Sequence, residues 1–327
     1  MRLVSRSGSQ DAYDRPKVRR GARWLLSLGA AAAISTGVLV AIGLDEAVAD
    51  PKIRRVDVAL PGWPPNQRPL SIALLADIHL GNRAMDLRRL NSIVDKVNGA
   101  RPDLVLIAGD FLAGHDKAGS MEAAAGLHEP LSRLRAPMGV VAVLGNHDHW
   151  TSPDAVSAAL GKADVILLTN RAIRRGPLAV IGVDDAFSRH DDLGSAVESW
   201  KRIGGVPIVL THSPDLVHRL GPNIPLAAAG HTHCGQVVIP WIGPLLRRSP
   251  LQQWRPLYDP KYRCGVIRTG GRTVIVTAGL GSGTIPIRLG APSDWWLIRV
   301  GRRGALTNKD PVRVRRRSAN VRNGGEA

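Results

Sequence analysis

The chain is poor in cysteine, in aromatic residues other than tryptophan, and in negative charge. Cys234 and Cys264 are the only cysteines among 327 residues, and no Cys-x-x-Cys pair occurs. A thiolate zinc knuckle is therefore excluded. Two buried free thiols or, in an oxidising compartment, a Cys234–Cys264 disulfide both account for the pair. With three Tyr and two Phe, and no basic stripe interleaved with aromatics, a stacking platform for single-stranded nucleic acid is not expected. Asp and Glu number 27 against 44 Lys and Arg, a net charge of +17, which favours an anionic partner or surface. The bases gather at the ends. Arg15, Lys17, Arg19, Arg20 and Arg23 precede an apolar segment, and Arg302, Arg303, Arg313, Arg315, Arg316, Arg317 and Arg322 fill the C-terminal tail. That distribution reads as a topology signal and a solvated tail, so no nucleic-acid partner is expected.

Residues 24–44 lack charge altogether. At ~1.5 Å rise per residue a helix of this length matches a hydrocarbon core of ~30 Å. Bases before it and Asp45, Glu46 and Asp50 after it place the N-terminus in the cytoplasm and everything beyond residue 44 on the extracytoplasmic (periplasmic) side. Ala47-Val48-Ala49 also resembles a cleavage site, which would make the segment a removed signal and the rest a secreted protein. Arg19-Arg20 is a weak twin-arginine signal, because no strongly apolar pair follows it. The expected organisation is a basic cytoplasmic stretch over residues 1–23, an anchor or signal over 24–44, a proline-rich linker with one edge strand (54–60) over 45–69, one large domain over 70–301, and a basic disordered tail over 302–327.

Within the large domain short aliphatic runs alternate with amphipathic segments. Strands are expected at residues 70–76, 104–108, 140–144, 165–168, 178–183, 208–210 and 226–229, and helices at 86–98, 121–134, 152–160 and 193–203. Later strands at 237–239, 265–268, 273–277 and 295–300 suggest a more antiparallel sheet. Two sheets stacked face to face with helices outside is the architecture this alternation favours.

Oxygen and imidazole donors close five of the apolar runs. Asp77-Ile78-His79 follows the first, Gly109-Asp110 the second, Gly145-Asn146-His147-Asp148 the third, His212 the run at 208–210, and Gly230-His231-Thr232-His233 the run at 226–229. Strand C-terminal ends are where open α/β sheets place their sites. Donors without sulfur favour Mn²⁺, Fe²⁺ or Zn²⁺ over Ca²⁺, and their number exceeds what one tetrahedral ion needs. Two ions ~3.5–4 Å apart can hold a hydroxide and clamp the oxygens of an in-line displacement at phosphorus.

In order and type these fragments resemble the calcineurin-like metallophosphoesterase family. With the N-terminal apolar segment and the run Gly279–Gly283, they look like its membrane-anchored or exported branch, which usually has Gly where this chain has Cys234. The resemblance implies a four-layer α/β/β/α sandwich. It implies that Asp77, His79 and His233 bind one metal, that Asn146, His212 and His231 bind the second, and that Asp110 bridges both, with Mn favoured. His147 would protonate the leaving oxygen and Asp148 would orient His147. The substrate class implied is a phosphoester, and the outward topology favours a lipid-linked or membrane-proximal one. A UDP-2,3-diacylglucosamine pyrophosphohydrolase of lipid A synthesis is the second reading. It is opposed by His147, where the better-known enzymes of that step have Arg. A binding scaffold without activity is a third reading, opposed by the complete donor set. Residues 279–283 with Arg288 read either as a backbone phosphate cradle or as a plain loop. His115, His128, His149, His190 and His218 are expected at the surface or in packing, with His115 and His149 close enough to the clusters to line a pocket.

Overall fold

The computed structural model describes residues 15–114, 117–249 and 252–306. Part of the N-terminal basic stretch, most of the C-terminal tail and His115 lie outside them. The chain divides into two compact units, Met1–Gly43 and Leu44–Ala327. The first consists, among described residues, of most of helix α1 (Arg15–Val48). Ser27–Val48 is long and apolar enough to cross a membrane. Its Leu28, Ile34, Val38 and Leu39 side chains are exposed, which an isolated helix in water does not favour.

The second unit carries sixteen strands and six further helices among its described residues. In chain order these are β1 (Lys52–Ala59), β2 (Leu70–Leu75), α2 (Leu87–Gly99), β3 (Leu104–Ala108), α3 (Lys117–Gly126), α4 (His128–Ser132), β4 (Val140–Val143), α5 (Asn146–Thr151), α6 (Pro153–Lys162), β5 (Val165–Leu167), β6 (Arg171–Arg175), β7 (Leu178–Val183), α7 (Leu193–Ile203), β8 (Val206–Thr211), β9 (Leu226–Ala229), β10 (Val238–Ile239), β11 (Gly243–Pro244), β12 (Arg248–Ser249), β13 (Arg255–Pro256), β14 (Gly265–Thr269), β15 (Arg272–Val276) and β16 (Asp294–Gly301). Two six-stranded sheets form, ordered β1-β16-β2-β3-β4-β5 and β14-β15-β9-β8-β7-β6, and β10–β11 and β12–β13 are separate hairpins.

Alternation along the strands builds the layers. On β2, Ala73 and Leu75 face α2, α4 and α6 with Ile93, Val97, Leu131 and Leu160. Leu70, Ile72 and Leu74 face the second sheet with Leu106, Val180, Ile208 and Leu210. Beyond that sheet, Ile181, Val209 and Val276 pack against Ala196 of α7 and against Leu216 and Val217. The result is an α/β/β/α sandwich. Central strands buried on both faces explain why their sequences run as unbroken aliphatic stretches. Local signals agree with the outcome. Asp86 caps α2 by accepting from Arg89 N at 2.7 Å, and Pro153 starts α6.

Three expectations need correction. The helix expected over residues 121–134 is two helices, α3 and α4; Gly126 and Pro130 interrupt it, since Pro lacks the N–H that a continuous helix needs. The late strands at 265–268, 273–277 and 295–300 make no sheet of their own, and the one at 237–239 pairs apart from them in the β10–β11 hairpin. β14 and β15 extend the second sheet, while β16 inserts into the first between β1 and β2, parallel to one and antiparallel to the other. β6 was not anticipated, because Arg171–Arg175 lies on a sheet edge with little burial and shows no aliphatic run.

Candidate metal centre

The C-terminal ends of β2, β3, β4, β8 and β9 meet at one edge, and each delivers its donors just past the last strand residue. The backbone continues the pairing there. Asp77 N donates to Gly109 O at 2.9 Å, His79 N to Asp110 O at 3.1 Å, and Gly230 N to His212 O at 3.1 Å. Asp77, His79, Asp110, Asn146, His147, Asp148, His212, His231 and His233 are all buried. Three overlapping groups hold ligand-type atoms within 4.8 Å of one another: Asp77, His79 and His233; His79, Asp110 and His147; Asp77, Asp110 and His212. Asp110 Oδ2 lies between the clusters, 3.5 Å from His79 Nε2 and 3.3 Å from His212 Nε2.

Hydrogen-bond partners settle which ring nitrogens face inward. A carbonyl can only accept, so a ring nitrogen beside one carries the proton. His79 Nδ1 donates to Leu112 O (3.1 Å), His212 Nδ1 to Ala108 O (2.6 Å) and His231 Nε2 to Leu257 O (2.8 Å). The other nitrogen of each ring points into the centre. On the second side His212 Nε2 is 3.1 Å from Asn146 Oδ1 and 3.3 Å from His231 Nδ1. With Asp110 Oδ2 that makes four acceptor-type atoms converging where at most one proton, on His212, is at hand. A divalent cation satisfies such a set, and backbone carbonyls fixing the far nitrogen are the usual support of histidine ligands. His233 departs from the pattern. Arg288 Nη2 faces its Nδ1 at 3.1 Å, so Nδ1 accepts and the ring proton sits on Nε2, 3.1 Å from His79 Nε2. Loading that nitrogen requires the proton to leave, as metal binding commonly does.

Electrostatics follow the same division. Burial pushes Asp77 up to about 7, with Asp110 acting in the same sense. Burial also opposes the charge on Asp110, but His212, His147 and His79 outweigh it and hold that carboxyl far below its usual range. Burial lowers His79 to about 3 and His231 to about 4, and holds His233 down as well. Neutral imidazoles are the form in which histidine binds a cation. Of the four expected ligand histidines only His212 is raised: burial disfavours its charge, but Asp110 and then Asp77 prevail.

The backbone is strained at this edge. Asp77, His79, Asp110, His231 and His233 have φ between 47° and 69°, a left-handed conformation that non-glycine residues rarely adopt and that persists where function requires it. Neighbouring glycines leave room for it. A Cβ on Gly109 would lie 2.6 Å from Gly145 N, one on Gly230 2.7 Å from Asp77 Oδ2, and one on Gly279 2.5 Å from Asp77 Cβ.

Asp148 is bonded to backbone amides. Its Oδ1 accepts from Phe111 N (2.8 Å) and Leu112 N (3.2 Å), and its Oδ2 accepts from Gly145 N (2.9 Å). It thus fastens the loop after β3 to the start of α5. The plain-loop reading of residues 279–283 is favoured over a phosphate cradle, because four of the five amides are engaged: Gly279 N on Thr277 Oγ1, Leu280 N on Ala76 O, Gly281 N on Asp77 O and Gly283 N on Gln236 Oε1. Arg288 is fully buried among the carbonyls of Ala278, Gly281 and Ala291. Of the remaining histidines, His128, His190 and His218 are exposed. His149 is half-buried, bonded to Asp184 Oδ1 at 2.8 Å and stacked on His190 at 3.7 Å. His147 sits edge-on to His79, with ring centroids 4.8 Å apart, and tilts on Trp150. Residues that the sequence did not flag include Phe187, whose ring lies 4.6 Å from that of His231, and the three carbonyls above. Cys234 and Cys264 are joined in a disulfide directly beside His233.

The calcineurin-like phosphoesterase family profile matches residues 70–235. The chain is 30% identical to a metallophosphoesterase of Helicobacter pylori strain J99 over 79% of this chain and 66% of that one. It is 30% identical to a transmembrane protein with metallophosphoesterase domain from Bos taurus over 88% and 67% of the two chains, and 29% identical to one from Danio rerio over 80% and 60%. The chain thus spans about two thirds of the length of the curated relatives it matches. Among solved structures, a 5'-nucleotidase precursor from Thermus thermophilus is similar at 16% identity, over 71% of this chain and 55% of that one, with a TM-score of 0.44. With just over half of its residues matched by the family profile, this chain belongs to the calcineurin-like phosphoesterase family.

Proposed function

We propose that the chain is a phosphoester hydrolase dependent on two divalent cations, acting on a lipid-linked or membrane-proximal phosphodiester or phosphomonoester. The observation that carries this reading is the convergence of Asn146 Oδ1, His231 Nδ1 and Asp110 Oδ2 within 3.1–3.3 Å of His212 Nε2. In the proposal Asp77, His79 and His233 hold one cation, Asn146, His212 and His231 the other, and Asp110 is shared. Nitrogen and oxygen donors suit Mn²⁺, Fe²⁺ or Zn²⁺. Bound there, the pair supplies an activated water at neutral pH and charge stabilisation for in-line displacement at phosphorus.

The chain's own residues do the rest. Asp110 contributes the negative charge that lets two cations approach each other, and its Oδ1 also accepts from His147 N at 2.9 Å. That bond ties the shared carboxylate to the residue proposed to protonate the leaving oxygen. Asp148 is a positioning residue, holding the turns that carry Asp110 and Asn146.

Helix Ser27–Val48 is proposed as an uncleaved anchor, with the catalytic unit on the extracytoplasmic side. The bases before the apolar segment and the acids after it support that side. So does the Cys234–Cys264 disulfide, a bond that persists in oxidising compartments. The test is hydrolysis of bis-p-nitrophenyl phosphate, lipid phosphoesters, UDP-diacylglucosamine and cyclic nucleotides by the full chain loaded with Mn²⁺. Metal-dependent turnover that Asp110→Asn abolishes is expected. Turnover that Asp110→Asn leaves near the wild-type rate would refute the shared-carboxylate assignment.

A further inference from the structure

Residues 237–249 and 252–258 leave the metal centre as the two hairpins β10–β11 and β12–β13. Trp241 at the first turn is fully exposed, Ile242 and Trp254 are each 64% exposed, and Leu245 and Leu246 also project into solvent. Scattered exposed apolar residues are ordinary, but five on one excursion mark an interaction surface. The stretch contains Arg247, Arg248 and Arg255 and no Asp or Glu, and Arg247 and Arg248 are exposed among the apolar tips.

The excursion is braced. Leu245 N bonds to Val237 O at 2.9 Å, Trp254 N to Ser249 O at 3.0 Å, and Leu257 N to Arg247 O at 3.1 Å. Its base reaches the site, since Leu257 O accepts from His231 Nε2 at 2.8 Å. Val238 N bonds to Leu289 O (2.8 Å) and Gln236 Nε2 to Ile285 O (2.8 Å), which joins the excursion to the loop 285–290. The same loop meets residues 46–49, which belong to its own unit. Gly290 N donates to Glu46 Oε2 at 3.2 Å, and nearby Arg89 Nη2 donates to Ala49 O at 2.8 Å. Residues 46–49, loop 285–290 and the hairpins therefore make one continuous rim.

We propose that this two-hairpin excursion docks on a lipid bilayer surface, its apolar tips entering the interface and Arg247 and Arg248 meeting anionic headgroup phosphates. Tryptophan concentrates at membrane–water interfaces, and arginine buries its stem there while its charge stays wet. A second copy of the chain fits less well, because a self-complementary contact would bring arginines together with no acid from the same patch to oppose them. The inference rests on reading Ser27–Val48 as a membrane span. It would hold the metal centre at headgroup level, where a lipid phosphoester lies.

The test uses the full chain reconstituted into phosphatidylcholine–phosphatidylglycerol vesicles, with and without bromine on the acyl chains. Subtracting the emission of the Trp241→Phe/Trp254→Phe chain from that of the wild type isolates these two indoles and cancels Trp24. A blue-shifted difference emission that is lost in brominated vesicles is expected. An unshifted, unquenched emission would overturn the proposal. So would one that is blue-shifted but indifferent to bromine, which would mark a protein partner. Hydrolysis of bis-p-nitrophenyl phosphate by the doubly substituted chain should match wild type, so failure to dock and failure of the hydrolase reading are told apart.

Discussion

At the scale of single residues, position along the strand marked out the candidate donors. Asp77, Asp110, Asn146, His212 and His231 each follow an apolar run, and such runs end at a sheet edge. What fixes their ring orientation was not legible. The carbonyls of Leu112, Ala108 and Leu257 do that work, and every residue carries a carbonyl. The amides of Phe111 and Leu112 that bond to Asp148 were not legible either, because only the fold brings them to it. His147→Ala is expected to keep its metal content and lose about 10²–10⁴-fold in kcat, read by steady-state kinetics beside elemental analysis. Loss of metal in that variant would make His147 a ligand, a role its place in the group with His79 and Asp110 also permits. Gly279 has φ of +79° and no room for a Cβ beside Asp77. Gly279→Ala should lower the melting temperature, by about 1–3 kcal/mol of stability, and weaken metal retention together with it.

At the scale of elements, period and composition found most strands and helices, since a strand covered on both faces has a nearly continuous aliphatic sequence. Partner choice was hidden. β16 joins β1 and β2 across more than two hundred residues, and nothing local to Asp294–Gly301 encodes that. Leu106 is buried between the two sheets, so Leu106→Ala should cost about 2–5 kcal/mol in denaturant unfolding. Asp103, just before β3, is tied to Arg68 Nη1 at 3.1 Å and to Ser71 N at 2.7 Å. Burial opposes its charge, yet the bonds from Arg68 and Ser71 prevail and hold the carboxyl below its ordinary value. A lowered folded value means that this group stabilises the fold above its unfolded pKa and ceases to as pH falls through the folded one. Acid unfolding of Asp103→Asn should therefore show a shallower loss of stability at the acid end than wild type. Equal slopes would remove Asp103 from the account.

At the scale of the whole molecule, one uncharged segment made the candidate membrane helix legible, whereas the disulfide was left open by sequence because spacing alone does not decide between thiols and a bridge. The Cys234–Cys264 bond closes a separation of 30 residues beside His233. Cys264→Ser is expected to cost about 2–4 kcal/mol, visible as a lower melting temperature that reductant does not lower further. An alkaline phosphatase fusion after residue 60 should be active, and activity confined to a cytosolic reporter would reverse the membrane orientation. The exposed tips of the two hairpins had no signature beyond a few apolar letters, since exposure is a property of the assembled fold. The central claim is a pair of cations around one shared carboxylate. Its most direct test is elemental analysis of the full chain equilibrated with Mn²⁺ and desalted, compared with Asp110→Asn at equal folding by circular dichroism. Two manganese ions per wild-type chain and a marked deficit in the variant are predicted. A wild-type chain that retains none, or a variant that retains as much as wild type, would contradict the account.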